Sequence, residues 1–259
     1  MIDGTIRRII SESERRRLET LVEENIIEGF AEIVDRTAEW ISTPAAREYF
    51  FNRNQMLHTF FRESGIQDEW NNIIERRAIR GVDIAEQIYG YAKRVNAPDG
   101  LVEYTSRDRA ALNNICDNQY ELVKNATEYE GQGIRRSILT DVANGVNPKQ
   151  TSLKEVQLTP INGLSPEARA EMIARTETAT TLNTASLMQM KDEGVEMVEL
   201  VGGGVNCCED CEELLGVPMP IDEALEMPIL HPNCTCTWRE SRTPIDVPHP
   251  FEEEGWLNP

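Results

Sequence analysis

The chain has 259 residues, 45 of them acidic and 26 basic, for a formal net charge of −19 at pH 7. That balance argues against tight sequence-independent DNA binding, which relies on Lys and Arg neutralising phosphates, although it leaves room for a local basic patch. No apolar run reaches the length needed to span a bilayer, and the length suits one large domain or two smaller ones with real cores.

Only five of the basic residues are lysines, at positions 93, 124, 149, 154 and 191. An acidic, lysine-poor composition resembles proteins of salt-loving archaea. Molar salt shortens the Debye length to about 3 Å and screens the self-repulsion of such a surface. A GC-rich codon bias acting on an ordinary acidic surface gives the same pattern.

In chain order, the first element is a long amphipathic helix from Ser11 or Ser13 to about Ile41. Leu18, Leu21, Val22, Ile26, Ile27, Phe30, Ile33, Val34 and Ile41 form its apolar stripe. Glu14, Arg15, Arg16, Arg17 and Glu19 read as a solvated face over its first turns. Thr43-Pro44 reads as a cap and first helical residue of a second helix. Its aromatic cluster (Tyr49, Phe50, Phe51, Phe60, Phe61) suits a buried bundle core, with His58 packed inside it. A third helix is predicted over about Gln67–Val95, with Gly81 and Gly90 as points of kinking or splitting. Asn96 to Gly100 is a turn cluster, and Ser106 is read as the cap of a fourth helix reaching about Asn125, with Cys116 as a lone buried-type thiol.

Residues 127–133 (TEYEGQG) form a polar, glycine-bearing break and a soft boundary between an N-terminal helical region, 1–130, and the rest. A short helix over Ile134–Asn144 ends at Gly145. Ser165-Pro166-Glu167 combines cap, proline and first-turn acid to open a long helix that stops at Gly194. Glu196–Val201 alternates as a strand, and Gly202-Gly203-Gly204 leads into the most distinctive stretch. Beyond Arg239 lies a tail, 240–259, with four prolines, His249, an acidic run, and Phe251 and Trp256. It cannot build a core of its own; it is either disordered or extended across a partner with those aromatics as anchors.

The distinctive stretch, Cys207 to Cys236, holds five of the six cysteines and one of the three histidines. Cys208-x-x-Cys211 places two thiolates on one tight turn. His231-Pro232-Asn233-Cys234-Thr235-Cys236 then supplies an imidazole and two more thiols. A tetrahedral Zn²⁺ site draws four such ligands from two short knuckles. Cys208, Cys211, His231, Cys234 and Cys236 therefore compete for four positions, with Cys207 a weaker sixth. If the final segment is a strand, Cys234, Cys236 and Trp238 share one face. Disulfides or inert buried thiols are the alternative. The N-terminal residues do not resemble an apolar secretory segment, so a reducing cytosol is expected, where disulfides are rare. The site has enough ligands to close itself, which favours a structural metal over a catalytic one.

This stretch resembles the phage Mu F-like head-morphogenesis family, the minor head proteins of tailed viruses. The resemblance rests on Cys208, Cys211, Leu214, Gly216, Pro218, Pro220 and the run His231 to Cys236. Upstream it includes the helix segment Arg169-Ala170-Glu171-Met172-Ile173-Ala174-Arg175-Thr176-Glu177. Together these motifs cover about 131–239, with the zinc knuckle at 205–239. The family aspartate that usually precedes the first cysteine pair is absent here, where Val205-Asn206-Cys207 stand. Arg169, Arg175 and Glu177 are the polar positions that the resemblance marks, and salt-bridged helix packing is their expected role.

The expected fold is mainly α, with long amphipathic helices, a small α+β zinc-knuckle subdomain and an extended C-terminal tail. No catalytic motif is present: there is no HExxH, no phosphate loop, no GxSxG and no base paired with a nucleophile. The resemblance implies a structural virion component assembled in the host cytoplasm, located in the head interior or at the portal vertex. It implies binding to the portal protein, with the major capsid protein and further copies of the chain as other partners, no membrane and only weak DNA contact. A zinc-dependent nucleic-acid-binding virion protein is the competing expectation, and the seven acidic side chains between Glu209 and Glu226 count against it.

Overall fold

The computed structural model describes residues 10–46, 64–97, 102–143, 165–202 and 208–241. Four long helices dominate them: α1 (Glu12–Ile41), α2 (Ile66–Asn96), α3 (Ser106–Ala143) and α4 (Pro166–Asp192). The C-terminal part adds strand β1 (Met197–Val201), a short helix α5 (Glu209–Glu212), β2 (Pro218–Pro220), a short helix α6 (Ile221–Glu226) and β3 (Thr237–Glu240). The mainly helical reading with a small mixed α and β part is therefore correct. The predicted aromatic helix beyond residue 46, Cys207 and the tail with His249, Phe251 and Trp256 lie outside the described residues.

Helix starts follow from local chemistry. At α1, Glu14 N–H donates to Ser11 Oγ at 3.3 Å while Glu14 Oε2 accepts from Ser11 N–H at 3.0 Å, a reciprocal capping box. At α3 the same device uses Thr105 and Asp108, so the cap is Thr105 and the expected cap residue Ser106 is already helical. Ser165 accepts from Ala168 N–H at 3.1 Å to start α4, and Gly194, at φ 84°, ends it. Thr43 accepts from Ala46 N–H at 3.2 Å, which caps the helical turn at 44–46 as the sequence suggests.

The chain divides into two compact units, one of 20–83 with 117–171 and the other of 1–19 with 84–116 and 172–259. In the first, Ile33, Val34, Trp40, Ile41, Ile66, Trp70, Ile73, Ile74 and Ile134 form one apolar core. Trp70 buries its ring and donates Nε1–H to Thr37 Oγ1 at 3.1 Å, so its one polar atom is satisfied. Two expected interruptions do not occur here. Helix α3 runs unbroken through 127–133, where Gly131 packs against the Trp70 ring, 3.4 Å from where a Cβ would stand. Helix α2 likewise passes Gly81 without splitting, since a Cβ there would stand 3.0 Å from Val123 Cγ2. Close packing outweighs the propensity cost of about 1 kcal/mol per glycine.

In the second unit the three strands form an antiparallel sheet in the order β2-β1-β3, with Val198 facing Met219 on one side and Leu200 facing Trp238 on the other. Val198 and Leu200 point into an apolar cluster with Leu187, Met190, Met219, Ile221 and Trp238. Between them Glu199 is buried on the opposite face, where Arg239 Nε donates to it at 2.6 Å. Strand β2, unforeseen in the sequence, uses both its prolines at the sheet edge, where a missing N–H is tolerated.

Lys93, fully buried, is held by Asp108 at 3.0 Å and Asp192 at 3.1 Å, and Asp108 also accepts from Tyr89 Oη–H at 2.8 Å. Burial by itself would raise the Asp108 carboxyl. Hydrogen bonds from Thr105, Lys93 and Tyr89 outweigh it and hold the group below the usual carboxylate range.

Candidate metal centre

Two short motifs build the site. Cys208 sits in extended conformation just before α5, and its carbonyl accepts from Glu212 N–H at 2.9 Å. That single turn carries Cys211 round to the same side, where its sulfur is buried. The return to the sheet is fixed by Gly216, at φ 72°, whose N–H reaches Leu200 O at 2.9 Å.

The second motif is a tight turn at His231-Pro232-Asn233-Cys234. Cys234 N–H donates to His231 O at 3.1 Å, and Asn233 takes the left-handed φ of 67°. Proline at the second position and a positive-φ residue at the third are the requirements of a type II turn, with asparagine the usual substitute for glycine. The expected turn is thus present, and its chemistry explains the residues that form it. Cys234, Cys236 and Trp238 are all buried while Thr235 and Thr237 are half-exposed, so the predicted alternation holds although β3 begins only at Thr237.

The two motifs converge. Cys208 Sγ lies 3.1 Å and Cys211 Sγ 3.2 Å from His231 Nε2, and Cys211 Sγ lies 3.8 Å from Cys234 Sγ. Ligands at zinc distances on a tetrahedron stand about 3.8 Å apart for two sulfurs and about 3.6 Å for sulfur and imidazole nitrogen. The five candidate donors fall into two overlapping groups, Cys208, Cys211 and His231, and Cys211, Cys234 and Cys236, with Cys211 common to both. The four resolved thiols of the stretch are free rather than disulfide-bonded.

The histidine is set up for coordination by its other nitrogen. His231 Nδ1 lies 2.7 Å from Pro232 O. A carbonyl can only accept, so Nδ1 carries the hydrogen, which leaves Nε2 as the nitrogen turned to the sulfurs and available to a metal. Burial, followed by its neighbours Cys208, Cys234 and Cys236, pushes the Cys211 thiol far above its ordinary range. A metal would have to displace that proton, as thiolate ligation always requires. The Cys211–Cys234 separation matches the tetrahedral sulfur spacing, and the two sulfur–imidazole distances are shorter than a bound zinc would set. Soft sulfur donors with one imidazole suit Zn²⁺ better than oxygen-preferring cations.

The polar positions of α4 divide. Arg169 lies over the rings of Phe30 and Tyr129, 6.0 and 5.1 Å from their centroids, a cation–π arrangement. Arg175 reaches Asn233 Oδ1 from Nη1 at 3.5 Å. Burial raises the Glu177 carboxyl to about 7.

Residues 132–239 match the family model described as phage Mu protein F like protein. This segment is similar to the phage Mu F-like family. The Mu F-like domain thus takes in the end of α3, all of α4, the sheet and every candidate ligand, while the helices before residue 132 fall outside the matched region. The family is one of phage head-related structural proteins, which is consistent with the lack of a catalytic motif. No curated protein and no solved structure shows a match to the chain. Among the described residues no helix is long and apolar enough to cross a membrane.

Sequence reasoning missed one residue of the site. Arg15, assigned to a solvated face, donates from Nη2 to Cys234 O and from Nη1 to Thr235 O, both at 2.7 Å. Its Nε donates to Glu19, which is itself buried rather than solvated.

Proposed function

We propose that the chain is a minor head protein of a tailed virus, bound at the portal vertex and acting in head assembly and in packaging or ejection of the genome. The observation that carries this reading is the Mu F-like match coinciding with a convergent cysteine–histidine cluster. In it one structural Zn²⁺ is held by four of Cys208, Cys211, His231, Cys234 and Cys236. When bound, the metal supplies cross-links between the two motifs, which a sheet with strands of five, three and four residues does not provide for itself.

The partners in this reading are the portal protein first, then the major capsid protein and neighbouring copies of the chain. Residues 1–130 form the helical N-terminal region, 131–239 the Mu F-like domain with its knuckle at 205–239, and 240–259 an extended arm. Phe251 and Trp256 on that arm are suited to anchoring on a neighbouring protein. The acidic, lysine-poor composition fits a host living in high salt.

Two assays test the role. Pull-down with portal protein should succeed for the full chain and weaken on deletion of 242–259. Gel shift with duplex DNA at physiological salt should show nothing tighter than about 10⁻⁴–10⁻⁶ M, the non-specific range. Nanomolar DNA binding without portal contact would instead establish a zinc-dependent nucleic-acid-binding virion protein.

A further inference from the structure

The segment His231–Cys236 contributes three of the five candidate ligands, yet it precedes β3 and has no sheet ladder to hold it. Its backbone polar groups are instead taken, residue after residue, by side chains from distant helices. Asn233 N–H donates to Thr176 Oγ1 at 3.0 Å. The carbonyls of Cys234 and Thr235 accept from the two ends of the Arg15 guanidinium. The carbonyl of Cys236 accepts from Asn183 Nδ2 at 3.1 Å. Four consecutive residues are thus gripped by three side chains.

Each grip is itself locked. Arg15 is fixed through its third donor by Glu19 at 3.1 Å, and Arg16 binds the other oxygen of that carboxylate at the same distance. Thr176 Oγ1 donates to Met172 O at 2.7 Å, so its lone pairs face Asn233. Asn183 also donates to Pro228 O at 2.8 Å and accepts from Thr237 Oγ1 at 2.9 Å. Thr176 and Asn183 are seven residues apart on α4, two turns along one face.

We infer that Arg15, with Thr176 and Asn183 as its counterparts on α4, is a positioning residue for the metal, an inference that rests on the metal reading above. Two physical effects follow from the geometry. Holding the backbone on both sides of Cys234 fixes the sulfur directions before the metal arrives, which lowers the ordering cost of capture. A zinc bound by three thiolates and one imidazole carries a net charge of −1, and by four thiolates −2, so a guanidinium on the adjoining carbonyls also offsets charge. The coupling is reciprocal: whatever factor Arg15 adds to metal affinity, the metal adds to the order of the first turns of α1.

The test uses the full chain, with zinc affinity measured by competition against a chromophoric chelator. Loss of such supporting groups around a metal typically weakens binding about 10–100-fold, and that is the expectation for Arg15→Ala. Arg15→Lys should recover only part of the loss, because an ammonium cannot bind two carbonyls through one planar fork. Thr176→Val, which keeps the helix and the side-chain shape, should weaken binding in the same direction. In the wild-type chain, chelation should accelerate amide exchange across residues 12–19, a readout that stands even if Arg15→Ala fails to fold. Wild-type affinity in Arg15→Lys and Thr176→Val, or exchange across 12–19 that ignores chelation, overturns the inference while leaving the metal reading intact. A wild-type chain that binds no zinc overturns both.

Discussion

The core around Trp70 and the knuckle around Cys211 are built from different materials. The first fills its interior with Trp, Ile and Val side chains from helices of some thirty residues, and the burial of those side chains is enough to hold it. The knuckle has three short strands, two helices of four and six residues, and cysteine sulfurs set into an apolar cluster with Leu187, Met190, Val198, Leu200 and Trp238. What the contrast teaches is that short elements can combine apolar burial with converging donor atoms, the arrangement on which the metal reading proposed above rests.

The contrast can be broken from either side by paired substitutions. Cys211→Ala removes the sulfur common to both ligand groups, and structural zinc in small fingers is worth about 10–16 kcal/mol apparent. Residues 208–241 should lose amide-exchange protection at any zinc concentration, while 20–46, 64–83 and 117–143 keep theirs. Trp70→Ala removes an aromatic anchor and its Nε1–H bond to Thr37, whose hydroxyl still donates to Ile33 O, for a loss of about 3–5 kcal/mol. Its effect on the melting temperature should be the same with zinc or with chelator. Equal zinc dependence in the two variants would erase the distinction.

A smaller effect sharpens the picture on α4. Burial raises the Glu177 carboxyl to about 7, so the folded chain holds a proton that the unfolded chain releases near pH 4. With a raised carboxyl, stability is highest below the unfolded value, falls as pH rises towards 7, and then levels off. Glu177→Gln removes that penalty. Its melting temperature should match wild type near pH 4 and exceed it by about 2–4 °C at pH 8, a shift of roughly 1 kcal/mol in a chain this size. A gain of equal size at both pH values would mean that the carboxyl charge is not the cause.

Much of this was legible in the sequence because it is local. The stripe from Leu18 to Ile41, the cap at Ser165 and the turn at Pro232-Asn233 each declare themselves within a few residues. The candidate donors were legible for the same reason, since Cys208-x-x-Cys211 and His231 to Cys236 are short motifs that can be recognised without knowledge of the fold. What was misread depended on partners far along the chain. Gly131 looks like a break until Trp70 is seen against it, and Gly81 like a hinge until Val123 is. Arg15 sits among Arg16, Arg17 and Glu14 as though solvated, and its partners lie 219 and 220 residues away. No periodicity encodes such a pairing. Which of the five candidate donors group around Cys211 was also beyond reach, because spacing along the chain does not say which sulfurs meet in space.

The account stands or falls on metal. The most direct measurement is elemental analysis of the purified full chain, followed by amide exchange before and after treatment with a strong chelator. One zinc per chain, released by the chelator together with loss of protection confined to 208–241 and the first turns of α1, is the predicted result. A metal-free chain whose Cys208, Cys211, Cys234 and Cys236 are joined in disulfides, with the sheet protected regardless of chelator, would contradict it.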